Sequence, residues 1–259
     1  MLTIDEAKGQ VTIDRPDGSA SVLAMDSPEA FTAVSNAWLR CGWDVKYVYG
    51  FTWMGRPIIQ LPEDMIRIQE VIWQLQPNVI VETGVAHGGS LVFYAGILAA
   101  LGRGRVVGVD VEIRPHNRTA IESHPMASRI ELIEGSSTRA ETVAKVRAAI
   151  TPGDVVLVIL DSNHSHDHVS RELDLYSPLV SPGSYIVACD GIMAQVAGAP
   201  RTQPDWTWNN PISAVEEFLE RAPMFRLEEP GFAFNEGAVR ERVTYWPKSF
   251  LRRIETAAS

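Results

Sequence analysis

The sequence predicts an α/β fold with a mostly parallel β-sheet that is covered by helices on both faces. One observation is a series of five short apolar runs rich in Val and Ile, at residues 79–82, 105–110, 130–134, 154–161 and 184–190. Another is that apolar residues at helical spacing fill the intervals between them, near residues 88–102, 117–124, 138–150 and 167–180. Continuous apolar strands that alternate with amphipathic helices are typical of parallel sheets buried on both sides.

The N-terminal part of the chain lacks this alternation. Residues 1–25 are polar and rich in Gly and Asp, which indicates a loose or meandering arm. Residues 28–40 carry apolar groups at helical spacing behind Asp26 and Ser27, so we expect a capped helix there. The aromatic stretch KYVYGFTWMGRPIIQLPEDM is broken by Gly and Pro and predicts a long loop, and helical spacing resumes over residues 64–76.

Beyond the fifth apolar run, a loop rich in Pro, Trp and Asn leads to a predicted helix, ISAVEEFLERA. Asn210 is expected to cap this helix, with Pro211 in its first turn. The stretches FRLEE and RVTYWP are predicted to supply closing strands. No turn signal separates two independent halves, so we predict one domain, in which residues 1–76 form an extension and lid for residues 77–259.

Composition narrows the classes of function. The net charge of −9, from 23 basic and 32 acidic residues, argues against a nucleic-acid or acidic-membrane surface and favours an enzyme acting on a small molecule. The first ten residues do not resemble a secretory leader, and no run approaches the ~20 apolar residues that span a bilayer. The two cysteines are expected to stay reduced, so we predict a cytoplasmic protein.

The stretch VETGVAHGGS, residues 81–90, places glycines between the first predicted strand and the next helix, where backbone comes close to a ligand. A triphosphate-binding loop would need Lys and then Ser or Thr after Gly89, but Ser90 follows directly. The dinucleotide fingerprint also fails, because three residues separate Gly84 from Gly88. The loop is therefore predicted to bind a ligand without phosphate.

Glu82 ends the strand before this loop and indicates which ligand fits. A carboxylate there would repel a pyrophosphate but attract the ammonium group of S-adenosylmethionine. Asp110 ends the next strand, where nucleoside-binding folds place a carboxylate on the ribose hydroxyls, although NAD would suit it equally. Ser136 and Ser137 follow the third strand and either hydrogen-bond an adenine edge or cap the next helix.

Acids also end the fourth and fifth strands, at Asp161 and Asp190. Because ligands of open α/β sheets bind outside the carboxyl ends of the strands, both acids are expected to face one site, where they suit Mg²⁺. Such a metal lowers the pKa of a bound hydroxyl, and His164 is our candidate for the general base that takes the proton. His166 and His168 are expected to cap or solvate a helix start instead of joining a zinc site.

In order and spacing, several stretches resemble the rhamnosyl O-methyltransferase/cephalosporin hydroxylase family over about residues 47–220. They are GFTWMGRPIIQLPEDM, PNVIVETGVAHGGSLVFYA, VVGVDVEIRPHNR, IELIEGSS, VLVILDSNHSHDHVSRELDLYSPLVSPGSYIVACD and WNNPISAVEEFL. The resemblance implies a Rossmann-like class I methyltransferase sheet of seven strands, and a Mg²⁺-dependent methyl transfer from S-adenosylmethionine to a sugar hydroxyl.

By the family pattern, the cofactor loop includes Glu82, Gly84 and Ser90, and Asp110 binds the ribose. The same pattern makes Asp161 and Asp190 metal ligands and puts His164 at the base position. Members of the family often carry Glu where this chain has Cys189, and a thiol is a poor ligand for a hard cation.

The favoured function is therefore methylation of a rhamnose-like deoxysugar hydroxyl on a glycosylated natural product, with the aromatic segments 47–53 and 206–208 as a lid. The alternatives are a cephalosporin hydroxylation or methoxylation protein of the same family, a nicotinamide-dependent oxidoreductase and a non-catalytic binding module. The broken dinucleotide fingerprint argues against the oxidoreductase, and acids at successive strand ends argue against the binding module. Aromatic residues in the N-terminal part favour a homo-oligomer.

Overall fold

The computed structural model describes residues 1–254 and begins with a small antiparallel sheet, two helices and a hairpin. These elements are β1 (Leu2–Asp5), β2 (Gln10–Asp14), β3 (Ala20–Ala24), α1 (Pro28–Asp44), β4 (Thr52–Trp53), β5 (Arg56–Pro57) and α2 (Pro62–Leu75). Strands β1, β2 and β3 pair antiparallel in that order, so residues 1–25 do not form a loose arm but a meander of three strands. Each strand has only four or five residues between polar turns, which hid its alternating pattern.

The capping residues behave as predicted. Ser27 Oγ accepts a hydrogen bond from Ala30 N at 3.2 Å at the start of α1. The predicted long loop is irregular apart from a 3₁₀ turn at Tyr47–Gly50 and the β4–β5 hairpin, but its last four residues, from Pro62, already belong to α2.

The remaining elements form the main sheet and its two layers of helices. In chain order they are β6 (Val79–Thr83), α3 (Gly89–Ala100), β7 (Arg105–Asp110), α4 (Pro115–Glu122), β8 (Ile130–Glu134), α5 (Ala140–Ala148), β9 (Val156–Leu160), α6 (His166–Tyr176), β10 (Tyr185–Ala188), α7 (Met193–Val196), α8 (Pro211–Arg221), β11 (Phe225–Leu227) and β12 (Phe250–Arg253). The strand order is β11-β12-β10-β9-β6-β7-β8. Strands β10, β9, β6, β7 and β8 run parallel, which confirms the predicted fold class.

Strand β12 runs antiparallel to both β10 and β11. The prediction that RVTYWP supplies this strand is wrong, because the strand begins at Phe250. The backbone of the predicted segment is bound elsewhere: Tyr245 N donates to Asp64 Oδ2 at 2.8 Å, and Thr244 Oγ1 donates to Asp64 Oδ1. The N–H of Tyr245 is therefore bound to the Asp64 carboxylate on α2 and is not available for hydrogen bonds to a neighbouring strand.

The strand order brings the carboxyl ends of β6 and β9 side by side at the centre of the sheet. From β6 the chain proceeds to β7 and β8 on one side, and β9 and β10 lie on the other. This reversal is the switch point where open α/β sheets bind ligands. Asp161 N donates to Thr83 O at 2.9 Å across this point, so the two strand ends are tied together.

No helix within residues 1–254 combines the length and the apolar character that crossing a bilayer requires.

We expect Asp64 to make stability depend on pH. Burial raises the pKa of Asp64 to about 7, so the folded chain holds a proton that the unfolded chain has lost. The free energy of unfolding should therefore fall as pH rises from about 4 to about 7, by up to about 1.4 kcal/mol per pH unit for this one group. Urea denaturation at several pH values in this window gives the free energy of unfolding, which should fall less steeply with pH for Asp64→Asn than for the unmodified protein. An identical pH dependence in the two proteins would contradict this role.

Candidate active site

Two adjoining cavities open at the carboxyl edge of the parallel strands. The larger has a volume of about 600 Å³ and the smaller about 180 Å³. Both are lined by Tyr49, Ile59, Gln60, His164 and Asp190. The two spaces therefore meet at an imidazole and a carboxylate.

The glycine loop forms one wall of the smaller cavity. Of the predicted cofactor residues, Gly84, Gly89 and Ser90 line it, together with residues 85–87. Gly88 lies behind the wall as the N-cap of α3, with φ of 79°. The loop thus faces a cavity, and its binding of a ligand there stays a prediction.

Asp110 supports this loop from behind. Its Oδ2 accepts hydrogen bonds from Val85 N at 2.8 Å and Ala86 N at 3.2 Å, and its Oδ1 accepts from Glu112 N at 3.2 Å. Asp110 does not line the smaller cavity. Its carboxylate fixes the loop conformation, and its predicted contact with a ribose stays a prediction.

Glu82 lies beneath the loop and is fully buried. Ser90 Oγ donates to its Oε2 at 2.6 Å, while Oε1 is buried without a hydrogen-bond partner. Burial raises the pKa of Glu82 to about 8. Because Ser90 stands between Glu82 and the cavity, the carboxylate acts on the cavity through that hydroxyl; a direct contact with an ammonium group stays a prediction.

The two serines after β8 have partners within the protein. Ser136 Oγ lies 3.0 Å from Thr138 Oγ1, and Ser137 Oγ lies 3.2 Å from His168 Nε2. Neither lines the smaller cavity. Their predicted contact with an adenine edge stays untested, and neither serine caps α5, whose N-cap residue is Arg139.

Asp161, His164 and Asp190 converge where the two cavities meet. One ligand atom of each lies within 4.8 Å of the others, and His164 Nε2 is 3.4 Å from Asp190 Oδ2. Asp190 has a left-handed backbone, with φ of 60°, which is strained for a residue with a side chain. Three predicted site residues from two loops are thus brought together.

The electrostatics of this cluster favour a cation. Burial, and then the neighbouring carboxylates of Asp190 and Glu82, raise the pKa of Asp161 well above its usual range. A cation between Asp161 and Asp190 would offset both the cost of burying a charge and the repulsion between the carboxylates. Carboxylate oxygens are also the donors that Mg²⁺ prefers. Cys189 is 1% exposed and packs in the apolar core, so it offers no ligand. The residues present therefore fit a hard divalent cation held by two carboxylates.

The other two histidines of the predicted cluster point elsewhere. His166 Nε2 lies 3.0 Å from Glu217 Oε2, and His168 Nε2 contacts the hydroxyl of Ser162 at 3.1 Å. Of the three imidazoles, only that of His164 lies with Asp161 and Asp190.

An aromatic wall borders the larger cavity. Trp43 meets Trp206 edge to face at 5.8 Å between ring centroids, and meets Tyr245 in the same way at 5.9 Å. Of the predicted lid, Tyr49 and Trp206 line this cavity, whereas Trp53 packs on Phe93 outside it. Sequence reasoning missed Trp43 and Tyr245, because no local pattern marks residues that meet through the fold.

Comparison with known proteins identifies relatives of the chain. The family model for rhamnosyl O-methyltransferase/CmcI matches residues 45–254. Rhamnosyl O-methyltransferase of Mycobacterium tuberculosis is 32% identical over 224 residues, covering 80% of this chain and 82% of the relative. The protein of the same name from Mycobacterium leprae is 32% identical over 204 residues, covering 73% and 84%.

Two solved structures share the fold. CmcI with Mg and S-adenosylmethionine has a TM-score of 0.52 at 18% identity, over 80% of this chain and 78% of that one. MycE, a methyltransferase of mycinamycin biosynthesis solved with Mg, S-adenosylhomocysteine and mycinamycin VI, has a TM-score of 0.50 at 17% identity, over 94% and 68%. At such identities these likenesses concern the fold alone.

The sheet order and the glycine loop at its switch point define a Rossmann-like protein of the class I methyltransferase type. The chain belongs to the rhamnosyl O-methyltransferase/CmcI family. This membership confirms the enzyme class that the sequence indicated, an S-adenosylmethionine-dependent O-methyltransferase.

We expect Gly84→Ala to damage the site beyond the cost of backbone strain. A Cβ on Gly84 would lie 2.0 Å from Asp161 O, and the residue has φ of 95°. Gly18→Ala is a matched control, because φ is 84° there and a Cβ would meet nothing within 4 Å. Urea denaturation should show that the control lowers the free energy of unfolding by about 1–2 kcal/mol, and that Gly84→Ala lowers it by at least ~1 kcal/mol more. Equal losses would show that the contact with Asp161 is unimportant.

Proposed function

We propose that this protein methylates a hydroxyl of a rhamnose-like deoxysugar on a glycosylated natural product, using S-adenosylmethionine, Mg²⁺ and His164 as general base. The observation that carries the proposal is that two cavities meet at His164 and Asp190. The glycine loop lines the smaller, which we call the cofactor cavity. The larger, which we call the acceptor cavity, has the aromatic wall.

S-adenosylmethionine supplies the methyl group when it is bound. Residues 84–90 would hold it with backbone groups and Ser90, in a cavity whose acids disfavour phosphate. The buried oxygen of Glu82 and the hydroxyl of Ser90 favour the amino-acid part of this cofactor over a pyrophosphate. This preference argues against the nicotinamide-dependent alternative.

The acceptor hydroxyl would lie where the two cavities join. Asp161 and Asp190 would hold Mg²⁺ there, and the bound metal would lower the pKa of the acceptor hydroxyl. His164, whose Nε2 lies 3.4 Å from Asp190 Oδ2, would take the proton from that hydroxyl on its other ring nitrogen. Positioning of the two reactants in adjoining cavities supplies much of the rate.

The aromatic wall supports a sugar as the acceptor. Indole and phenol rings offer flat apolar faces to the C–H groups of a deoxysugar, and Trp43, Trp206 and Tyr245 supply three of them. The curated relatives are named rhamnosyl O-methyltransferases, which agrees with this choice. A cephalosporin-modifying protein is the runner-up, since the family model also covers CmcI. The homo-oligomeric state and the cytoplasmic location stay predictions.

Binding and turnover test the proposal together. S-adenosylhomocysteine should bind with micromolar affinity in isothermal titration calorimetry, and NADH should not bind. A mass-spectrometric screen of rhamnosylated acceptors should then show addition of one methyl group with Mg²⁺, and its loss after chelation. NADH binding without S-adenosylhomocysteine binding would refute the enzyme class, and methylation that survives chelation would refute the metal.

Variants of His164 separate a base from a metal ligand. His164→Ala should lower kcat by about 10²–10⁴-fold. Mg²⁺ affinity should stay within about threefold if the imidazole is the base and not a ligand. His166→Ala is the matched control, because that ring is bound to Glu217 outside both cavities, and it should leave kcat unchanged. A large loss of metal affinity in His164→Ala would reassign the residue as a ligand.

A further inference from the structure

The segment that we call the strap, residues 56–61, separates the two cavities. Pro57, Ile58, Ile59 and Gln60 line the cofactor cavity, and the last two also line the acceptor cavity. The strap lies directly on the N-terminus of α3, since a Cβ on Gly89 would be 2.1 Å from Pro57 O. The strap and the glycine loop are therefore opposite walls of one narrow cavity.

Arg56, at the start of the strap, reaches across to the glycine loop. Its Nε and Nη2 donate to His87 O at 3.0 and 2.6 Å, and Nη2 also donates to Asn117 Oδ1 at 3.1 Å. Within residues 1–254 no carboxylate lies within 4 Å of this guanidinium. Its donors thus serve neutral acceptors on the loop and on α4.

Asn117, which is 3% exposed, completes the connection from α4. Its Nδ2 donates to Ala86 O at 2.9 Å, so Arg56 and Asn117 bind the carbonyls of two successive loop residues. Asp110 binds amide groups of the same loop from behind. Ala86 has φ of 45°, a left-handed conformation that a residue with a Cβ keeps only when its surroundings enforce it.

We propose that Arg56 and Asn117 are positioning residues that hold the glycine loop in its binding conformation before the cofactor arrives. This inference rests on the proposed function, because it takes residues 84–90 to bind S-adenosylmethionine. A loop that is already ordered avoids the entropy cost of ordering on binding, so the affinity of the site depends on these hydrogen bonds. Neither side chain lines the cofactor cavity, so both act through the loop.

The fork of the guanidinium matters as well as its charge. Two of its nitrogen atoms bind His87 O while one of them also binds Asn117. A lysine ammonium at this position would be a single point donor on a flexible stem and would not reproduce this planar geometry. Arg56→Lys should therefore keep part of the ordering that Arg56 gives to the glycine loop, and Arg56→Ala should keep none of it.

The affinity for S-adenosylhomocysteine tests this inference. Calorimetry should show that Arg56→Ala and Asn117→Ala each raise Kd by about tenfold, and stopped-flow should assign the loss mainly to faster dissociation. Arg56→Lys should lie between wild type and Arg56→Ala. In the double variant, Kd should rise by less than the product of the two single increases, because both side chains act on one loop. The kcat at saturating S-adenosylmethionine should stay within about threefold of wild type, because neither side chain touches the reacting atoms.

Arg129→Ala is the matched control for a general loss of stability. Arg129 Nη1 also donates to a backbone carbonyl, Gly104 O at 2.7 Å, but just before β7 begins, at the opposite end of that strand from the site. It should lower the melting temperature without changing Kd by more than about twofold. The inference would be overturned, and the proposed function left intact, if Arg56→Ala and Asn117→Ala kept the wild-type Kd. The same holds if Arg129→Ala lost as much affinity for S-adenosylhomocysteine as they do. Failure of the wild-type protein to bind S-adenosylhomocysteine would overturn both.

Discussion

The contact between the ends of two neighbouring strands is the constraint on which the site depends. Gly84 follows β6 and lies directly against the carbonyl oxygen of Asp161, which follows β9. Because no side chain separates the two turns, the glycine loop and the first carboxylate share one wall. A ligand in the cofactor cavity is thereby brought beside the acids and beside His164, which extends from the same turn as Asp161.

The same contact concentrates negative charge where the protein excludes water. Glu82 is fully buried at the end of β6, Asp161 is half-buried just after the neighbouring β9, and burial is the largest cause of the raised pKa of each. Such an arrangement costs folding free energy, because the two groups lose hydration that the hydrogen bond from Ser90 to Glu82 replaces only in part. A fold keeps such a cost at positions that serve function, and a bound cation is the simplest compensation for these two groups and Asp190.

Much of this architecture could be predicted from sequence, because the information was local. Each central strand is a continuous apolar run, and Asp161 and Asp190 directly follow such runs. Residues whose position depends on distant partners could not be found in this way: Tyr245 is placed by Asp64 and Arg56 by a loop 31 positions later. Local logic also misled, since RVTYWP has a strand-like composition but is bound to α2. The roles expected for Glu82 and Asp110 could not be settled by pattern, because spacing does not reveal that Ser90 already binds one oxygen of Glu82 and that the loop amides bind Asp110.

The hydrogen bond between Asp64 and Tyr245 implies an order of assembly. It joins positions 181 residues apart, and Tyr245 with its neighbour Trp246 lines the acceptor cavity. Contacts of such long range form late, because closing the chain between the two positions costs entropy. Favourable contacts that have already formed must offset this cost. The cofactor cavity draws only on residues 49–190. During folding, the cofactor cavity should therefore form before the acceptor cavity is complete.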